Sequence, residues 1–586
     1  MNKCYNEKHV PGTGGLAFRQ YLLPYLLLVV VHIIVVLKAS FPSVLPDEFS
    51  FLVTARYLSG FSMLPDLGGQ AIRPFGYPLL IAPLYWFFSD PLDVYHAATI
   101  LNCFTISLLY FPIFFLLNRI LKYSFKVSSL TAFATALYPA FIANSMLILS
   151  ENAFIPLYPL VAVCFWLLCT KRSIFYASLF GLLVPLLYAV HGRAYPVVLI
   201  AILFICLLVF LKIVTKLQWL VATVLIAAGY LVVELVNIRL ATMGSAINHS
   251  VLNLLDKLLT LDGWEKFAIG ACGQAWYLTI ATYGLFIGGI FFAVNVVWNR
   301  GRQTIGGCLY DPTSLTILFI LATSLGMFIA SILNIAGVAV ISPNWIGYIY
   351  GRYNEGFLAI FIAFGLLSLY RHSDNPEVKY PGAAFVSIIL YTMTLTLFVL
   401  HGVEIFANIH DPGSSLLGIG PWFIHGTATS RAFLGILAVT IIWLILWVCT
   451  RWNYSAGVIF IIGMFCIGTT YAYGRILGRE GYIEKFFNLS SQVRFLGLSS
   501  KYISYDMDSS LQYPSGTAFI TGLQFLLPEA NVTRFYSRRD ELPGNPVVIS
   551  SKNWQAAKGF HMRPFMDAYE TDHVIWILEK GSNENR

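Results

Sequence analysis

Residues 21–37 read YLLPYLLLVVVHIIVVL, an apolar run that follows a polar segment containing Lys3, Lys8 and Arg19. A helix needs about 20 mostly apolar residues to cross the hydrocarbon core of a bilayer. A signal peptide also combines a basic start with an apolar run, but this run is long for that role, and no clean small-x-small cleavage site follows it. The stretch therefore predicts an uncleaved first transmembrane helix.

The composition of the whole chain is typical of a membrane protein. Of the 586 residues, 58% are hydrophobic and 11% are charged, and the mean hydropathy is +0.72. Soluble domains carry about 25% charged residues. The net charge of +8 comes without a Lys/Arg-rich run, so a nucleic-acid partner is not expected. The nine cysteines lack metal-ligand spacing, which predicts free thiols packed in helices.

Apolar segments of spanning length recur up to residue 474 and predict about thirteen transmembrane helices. The segments lie at residues 21–38, 97–117, 128–148, 153–170, 173–190, 195–211, 218–237, 270–298, 314–335, 354–370, 382–401, 432–450 and 455–474. Lys and Arg concentrate in alternate short loops, which predicts a cytoplasmic N-terminus. An odd number of spans then places the C-terminal residues outside. We expect this in the periplasm of a bacterium, with the chain in the inner (plasma) membrane.

The chain changes character after about residue 475. Short runs of strand type lie at residues 502–505, 531–536, 547–550 and 573–578, and a helical stretch lies at 517–527. Alternating strands and helices predict a small α/β domain. The predicted fold is thus an α-helical polytopic membrane protein, with a transmembrane domain over residues 1–474 and an extracytoplasmic α/β domain over 475–586. Its first outer loop, residues 39–96, is long.

Two adjacent carboxylates, Asp47 and Glu48, lie in the first outer loop at the start of an apparent helix. Acidic residues in a first turn complement the positive end of the helix dipole. A carboxylate at the membrane surface can equally act as a general base, because partial desolvation raises its pKa. The sequence leaves both interpretations open.

Arginines occur in three other outer segments. Arg73 precedes Pro74 at the end of the first outer loop, Arg193 lies in the tight turn between the fifth and sixth predicted helices, and Arg352 precedes the tenth. An isolated arginine beside apolar sequence can extend to the lipid headgroups. A guanidinium also matches the geometry of a phosphate. We therefore predict that all three contact the phosphate of a substrate that donates a group for transfer.

Further polar residues lie at the same predicted membrane face. Ionisable groups at membrane depth are costly, so each one indicates a possible function. The residues predicted to orient a substrate are Glu151, His191, Tyr353 and Glu355. Arg352 and Glu355 are three residues apart and could instead neutralise each other. Glu234, near the outer end of the seventh predicted helix, could pair with Arg239. The histidines and acids between residues 401 and 425 match no metal signature, so no metal site is predicted.

These residues come from distant parts of the chain but map to one membrane face. Carboxylates and arginines beside a lipid phase suit sugar transfer from a polyprenyl phosphate. The leaving phosphate needs positive charge, and the acceptor hydroxyl needs a base.

With these residues the chain resembles the GT-C superfamily of integral membrane glycosyltransferases, and its layout is similar to that of the lipid A aminoarabinose transferases. The matching stretches are Pro46-Asp47-Glu48, Arg73-Pro74 and Gly192-Arg193. The resemblance implies about thirteen spans and a periplasmic α/β tail. Arginine stands where the lipid A enzymes have lysine, so the sugar and the acceptor stay open.

The resemblance also implies roles for individual residues. It makes Asp47 the catalytic residue and Glu48 the neighbouring acid, and it places Arg73 and Arg193 near the donor phosphate. No cofactor is required, although a divalent metal is compatible with the chemistry.

The predicted function is inverting transfer of a sugar from a polyprenyl-phosphate donor to a glycan or lipid acceptor of the cell envelope, for example lipopolysaccharide or O-antigen. The main alternative is a transporter or flippase for a lipid-linked envelope precursor. Two observations disfavour it: no repeat relates the two halves of the sequence, and the charges lie at the outer interface rather than at mid-membrane. A membrane-bound acyltransferase and a non-catalytic assembly or receptor protein are lesser alternatives.

Overall fold

The computed structural model describes most of the chain. The described residues are 14–38, 42, 46–62, 74–241, 260–303, 308–341, 350–370, 428–477, 480–497, 502–506, 508, 516–535, 547–551, 553–554, 557, 562–567 and 573–578.

Helices make up most of the described chain. They are α1 (Gly14–Val36), α2 (Pro46–Leu58), α3 (Gly76–Ile81), α4 (Leu84–Phe87), α5 (Pro91–Ser107), α6 (Tyr110–Phe115), α7 (Phe125–Ala136), α8 (Pro139–Ser145), α9 (Glu151–Lys171), α10 (Ile174–Val190), α11 (Tyr195–Phe210), α12 (Lys216–Ala241), α13 (Leu261–Ala281), α14 (Leu285–Gln303), α15 (Pro312–Ile341), α16 (Glu355–Ser368), α17 (Ala428–Trp452), α18 (Tyr454–Leu477), α19 (Glu480–Phe495) and α20 (Gly516–Leu526). Short 3₁₀ turns at Gly192–Ala194 and Gly351–Asn354 precede α11 and α16.

The membrane-spanning character of the chain is confirmed, whereas the predicted number of spans is not. Within the described ranges, six helices are long and apolar enough to cross a membrane, or up to eight if each of two bent pairs forms one span. Three shorter apolar helices, Gln20–Val36, Ile174–Val190 and Leu437–Trp452, coincide with further predicted spans. The span predicted at 382–401 lies outside the described residues.

Two predicted spans are broken rather than straight. The span predicted at 128–148 is the pair α7 and α8, bent by 59°, because Pro139 keeps Tyr138 in an extended conformation. The span predicted at 270–298 is the pair α13 and α14, bent by 97°. Tyr283 and Gly284 between them have φ of 52° and 81°, in the left-handed region that ends a helix. Each of these two predicted segments therefore contains a pair of helices rather than one.

Small residues allow α14 and α16 to pack backbone against backbone. A Cβ added to Gly289 would lie 2.1 Å from the carbonyl oxygen of Phe361, and one added to Gly365 would lie 2.1 Å from that of Leu285. Such close approach of helices requires residues without side chains. The contact fixes α16, whose first turn follows the 3₁₀ turn carrying Arg352.

The C-terminal residues form a five-stranded sheet in the order β2-β1-β3-β5-β4. The strands are β1 (Tyr502–Asp506), β2 (Asn531–Phe535), β3 (Val547–Ser551), β4 (Met562–Asp567) and β5 (His573–Leu578). β1 pairs in parallel with β2 and β3, whereas β5 is antiparallel to β3 and β4. Four of these strands match predicted runs. β4 was not predicted, because it contains Pro564 and a register shift, which an edge strand tolerates.

The C-terminal part packs on the transmembrane part near α2. The ring of Phe525 in α20 lies 5.5 Å from that of Phe49 in α2, centroid to centroid. Both side chains are buried in the same core as the transmembrane helices. Nearby, Arg494 Nη1 lies 3.4 Å from Asp90 Oδ2. The sheet is thereby held against the helix that carries Asp47 and Glu48.

Candidate functional site

Arg352 links two carboxylates that come from distant parts of the chain. Its Nη2 lies 2.9 Å from Asp47 Oδ2, and its Nε lies 2.7 Å from Glu151 Oε1. The side chains of Arg352 and Glu151 are 6% and 2% exposed, whereas that of Asp47 is 21% exposed. Asp47 is therefore the member of this triad that solvent or a substrate can reach.

Each member of the triad lies at the beginning of a helix or in the turn before one. Asp47 is in the first turn of α2, Glu151 begins α9, and Arg352 lies in the turn before α16. The turn is tightly packed, because a Cβ added to Gly351 would lie 1.7 Å from Cζ of Tyr277. Only glycine fits at this position, and the close contact fixes the backbone that carries Arg352.

The Arg352 guanidinium remains charged in this setting. Burial alone would lower the pKa of Arg352, but Glu151, Tyr350 and Asp47 together raise it well above its ordinary value. Removing one partner of a buried ion pair leaves an uncompensated charge, so the three side chains depend on one another.

The turn between α10 and α11 brings His191 and Arg193 beside the triad. His191 Nε2 lies 3.7 Å from Glu151 Oε1, and His191 Nδ1 accepts a hydrogen bond of 3.3 Å from the Arg193 backbone N–H. The guanidinium carbon of Arg193 lies 3.3 Å from the centroid of the Tyr353 ring, a cation–π contact. Five of the predicted site residues thus contact Arg352 or one another: Asp47, Glu151, His191, Arg193 and Tyr353.

Burial lowers the pKa of His191, and the positive charge of Arg193 lowers it further. The opposing effect of Glu151 does not cancel these contributions. The imidazole is therefore neutral at neutral pH, with Nδ1 as the acceptor and Nε2 directed toward Glu151.

Glu48 lies inside the protein, although it is next to Asp47. It is fully buried, and its Oε1 accepts hydrogen bonds from Tyr95 Oη at 3.1 Å and from the Ile148 backbone N–H at 2.9 Å. The Tyr95 hydroxyl also lies 3.1 Å from the carbonyl oxygen of Met146. These bonds tie α2 to the segment before α9. They favour a structural role for Glu48, and its predicted role as a second base stays a prediction.

Glu355 is also buried, and it does not pair with Arg352 among the described residues. Its Oε2 accepts a hydrogen bond of 3.0 Å from Asn144 Nδ2, and its Oε1 accepts one of 3.2 Å from Tyr277 Oη. A direct ion pair between Arg352 and Glu355 is therefore absent from the described part of the chain. Asn144 and Tyr277 were not predicted as site residues, although both are polar side chains within predicted spans.

The predicted site residue Arg73 lies outside the described residues, and so does the segment 401–425, where no metal site was predicted. Pro74, the residue after Arg73, lies beside the turn that carries Arg193, since a Cβ added to Gly192 would be 3.9 Å from Pro74 Cγ. In the described part of the chain, no group of three or more His, Cys, Asp or Glu is placed to hold a metal ion. The compatibility of the chemistry with a divalent metal stays a prediction.

The fold of this chain is similar to the folds of solved structures. No protein-family model and no curated protein matches the sequence. The structure of ArnT from Cupriavidus metallidurans bound to undecaprenyl phosphate matches with a TM-score of 0.53 and 13% identity, over 97% of this chain and 99% of that one. ArnT in the apo state matches with a TM-score of 0.52 and 11% identity, over 96% and 98%.

A weaker match is the archaeal oligosaccharyltransferase AglB from Archaeoglobus fulgidus, in complex with an inhibitory peptide and a dolichol-phosphate. Its TM-score is 0.40 and its identity 12%, over 89% of this chain and 65% of that one. ArnT is a member of the GT-C superfamily. The resemblance to GT-C glycosyltransferases predicted from the sequence is therefore confirmed at the level of the fold.

Proposed function

We propose that this chain is an inverting membrane glycosyltransferase. It would move a sugar from a polyprenyl-phosphate donor to a hydroxyl of a cell-envelope glycan or lipid. The reaction would take place on the outer face of the membrane that the chain spans. The observation that carries the proposal is the contact of the part-exposed Asp47 with Arg352, beside Arg193. The similarity in fold to ArnT, whose structure contains undecaprenyl phosphate, supports the same class of donor.

In the proposed reaction, the Asp47 carboxylate takes the proton of the acceptor hydroxyl. The acceptor oxygen then forms a bond to the anomeric carbon on the face opposite the lipid phosphate. The bond between that carbon and the phosphate oxygen breaks, and its electron pair stays on the phosphate. A positioned general base contributes about 10²- to 10⁴-fold to such a step.

Arg352 has two functions in this proposal. Without a donor, its Nη2 lies 2.9 Å from Asp47 Oδ2 and neutralises that carboxylate. A carboxylate bound to arginine is a weak base, so we infer that Arg352 Nη2 moves from Asp47 to the donor phosphate when the donor binds. Glu151 holds Nε of the same guanidinium, which would keep the side chain in the site while Nη2 changes its partner.

The remaining predicted residues support the two arginines. Glu151 and His191 would orient Arg352 rather than the sugar, because their contacts are with that side chain and with each other. Tyr353 would hold Arg193 toward the phosphate through its ring. Arg73 remains a predicted third phosphate contact.

The direct test is sugar transfer by the purified full chain. Radiolabelled polyprenyl-phosphate sugars would be supplied in turn with a crude cell-envelope acceptor fraction. Asp47→Asn is compared with Asp93→Asn, a matched control in the first turn of α5 whose side chain is exposed. We expect transfer by the wild type and by Asp93→Asn, and loss in Asp47→Asn.

Two results would contradict the proposal. Equal transfer by Asp47→Asn and the wild type would remove Asp47 as the base. Absence of transfer from every donor, with folded protein, would favour the transporter or flippase alternative, which flipping of a labelled lipid in vesicles can then test.

A further inference from the structure

Glu234 lies in a helix that faces outward from the protein. Of the six helices that could each span the membrane unbroken, the one at 216–240 is the least buried. Its residues Leu231, Leu235 and Ile238 are 59%, 66% and 58% exposed. Since apolar side chains exposed on a spanning helix contact lipid, Glu234 is a carboxylate at the edge of a lipid-facing surface. Such a position is costly and calls for a functional explanation.

Three tyrosines from three helices form a group of rings, one of which contacts this carboxylate. Tyr188 in α10 donates a hydrogen bond from its hydroxyl to Glu234 Oε1. The ring centroids of Tyr188 and Tyr230 are 5.4 Å apart, those of Tyr195 and Tyr230 are 6.2 Å apart, and those of Tyr188 and Tyr195 are 6.3 Å apart. All four side chains are partly exposed. We name these residues, Tyr188, Tyr195, Tyr230 and Glu234, the tyrosine cluster.

The charge of Glu234 has no cationic partner among the described residues. The pairing with Arg239 that the sequence suggested is absent, so that interpretation is wrong. Tyrosines are common at membrane interfaces, and an interfacial belt alone would explain the rings. It would not explain the carboxylate beside them, which has no cationic partner within the described part of the chain.

We propose that the tyrosine cluster binds the ammonium group of a phospholipid headgroup. The faces of tyrosine rings attract a cation within about 6 Å of the ring centroid, and the carboxylate supplies the opposite charge. A sugar could also stack on the rings, but it would leave the carboxylate charge uncompensated. The bilayer supplies ammonium headgroups at the surface that the cluster faces.

The position of the cluster relates this lipid to the candidate site. Tyr195 lies two residues after Arg193, and Tyr188 lies three residues before His191. A bound phospholipid would thus lie beside the turn that carries these two site residues. The inference does not depend on the proposed transfer reaction, because it concerns a binding equilibrium that needs no sugar donor.

The test measures which lipid the full chain retains in detergent. Purified protein is incubated with an equimolar mixture of phosphatidylethanolamine and phosphatidylglycerol with the same acyl chains, and bound lipid is counted by native mass spectrometry. We expect the wild type to favour phosphatidylethanolamine at least about fivefold, in keeping with a cation–π site. Glu234→Gln and Tyr230→Leu should each abolish the preference.

Glu265→Gln is the matched control, because it removes an exposed carboxylate from another helix and should keep the preference. Glutamine at position 234 can still accept the hydrogen bond from Tyr188, so the fold should be unaffected. Equal retention of the two lipids by the wild type would overturn the proposal. A preference that survives in Glu234→Gln would overturn it as well.

Discussion

Asp47 and Glu48 are adjacent in the sequence but lie in different environments. Asp47 is part-exposed and contacts Arg352, whereas Glu48 is fully buried and accepts hydrogen bonds from Tyr95 and from the backbone of Ile148. On a helix, neighbours point about 100° apart, so one residue faces the site and the other faces the core. The comparison shows that the partners of a carboxylate, rather than the motif that contains it, decide its role.

The largest expected effect is that of a substitution at Asp47, the residue of the pair that faces the site. Asp47→Asn should reduce transfer by about 10³-fold, because an amide cannot take a proton from the acceptor hydroxyl. Its unfolding temperature should fall modestly, since asparagine can still accept a hydrogen bond from Arg352 and Glu151 still compensates the buried guanidinium. Initial rates and unfolding temperatures of the same preparation check both statements. A variant that loses stability and activity together would assign Asp47 a structural role.

For Glu48, the buried residue of the pair, we expect the opposite result. Glu48→Ala leaves the buried Ile148 N–H without its acceptor, whereas the Tyr95 hydroxyl keeps the Met146 carbonyl. A buried unsatisfied group costs about 1–3 kcal/mol. We expect a clear fall in the unfolding temperature. Glu48→Gln should be milder, because its amide oxygen can accept the same bonds. Wild-type stability in Glu48→Ala would contradict the structural role and return Glu48 to consideration as a base.

Much of the fold could be predicted from the sequence, because hydrophobic runs and turn residues act locally. The strand from Val547 and the strand from His573 begin where the sequence predicted them. The bend between α13 and α14 could not be predicted, because Tyr283 takes a left-handed conformation that its sequence does not signal. The fourth strand was missed since Pro564 interrupts its pattern.

The residues of the candidate site could be predicted from the sequence, but the contacts between them could not. Ionisable side chains such as Glu151 and Arg352 stand out in apolar sequence, because they are costly there. Their contact spans 201 positions of the chain, and no local pattern encodes it. Tyr277 and Asn144 carry no charge and were overlooked, although they bind the carboxylate of Glu355.

A smaller effect concerns the turn that presents Arg352 to Asp47. Gly351→Ala places a methyl group where the ring of Tyr277 lies, and overpacking of this kind costs about 1–3 kcal/mol. The turn or the ring must move, so we expect lower stability and a reduced transfer rate. Combining the change with Tyr277→Ala should restore part of the transfer rate, since the ring is then gone. Gly474→Ala is the control, because a Cβ there meets nothing within 4 Å.

The smallest expected effect is a dependence of stability on pH. It arises from His191, which contacts the second acid of the site, Glu151. Burial and the nearby charges of Arg193 and Arg352 lower the pKa of His191, against the opposing effect of Glu151. Below a pH of about 6.5, the unfolded chain therefore binds a proton that the folded protein does not, and stability falls as the pH is lowered toward the folded-state pKa.

Thermal unfolding between pH 7.5 and 5 measures this dependence, with His191→Gln for comparison. The substitution removes the titrating group, so the fall in unfolding temperature toward acid pH should be shallower than in the wild type. Exposed carboxylates and other histidines contribute equally to both proteins and cancel in the difference. Identical slopes would mean that His191 titrates alike in the folded and unfolded chains. The opposing effect of Glu151 on the pKa of His191 would then fully cancel the effects of burial and of the two arginines.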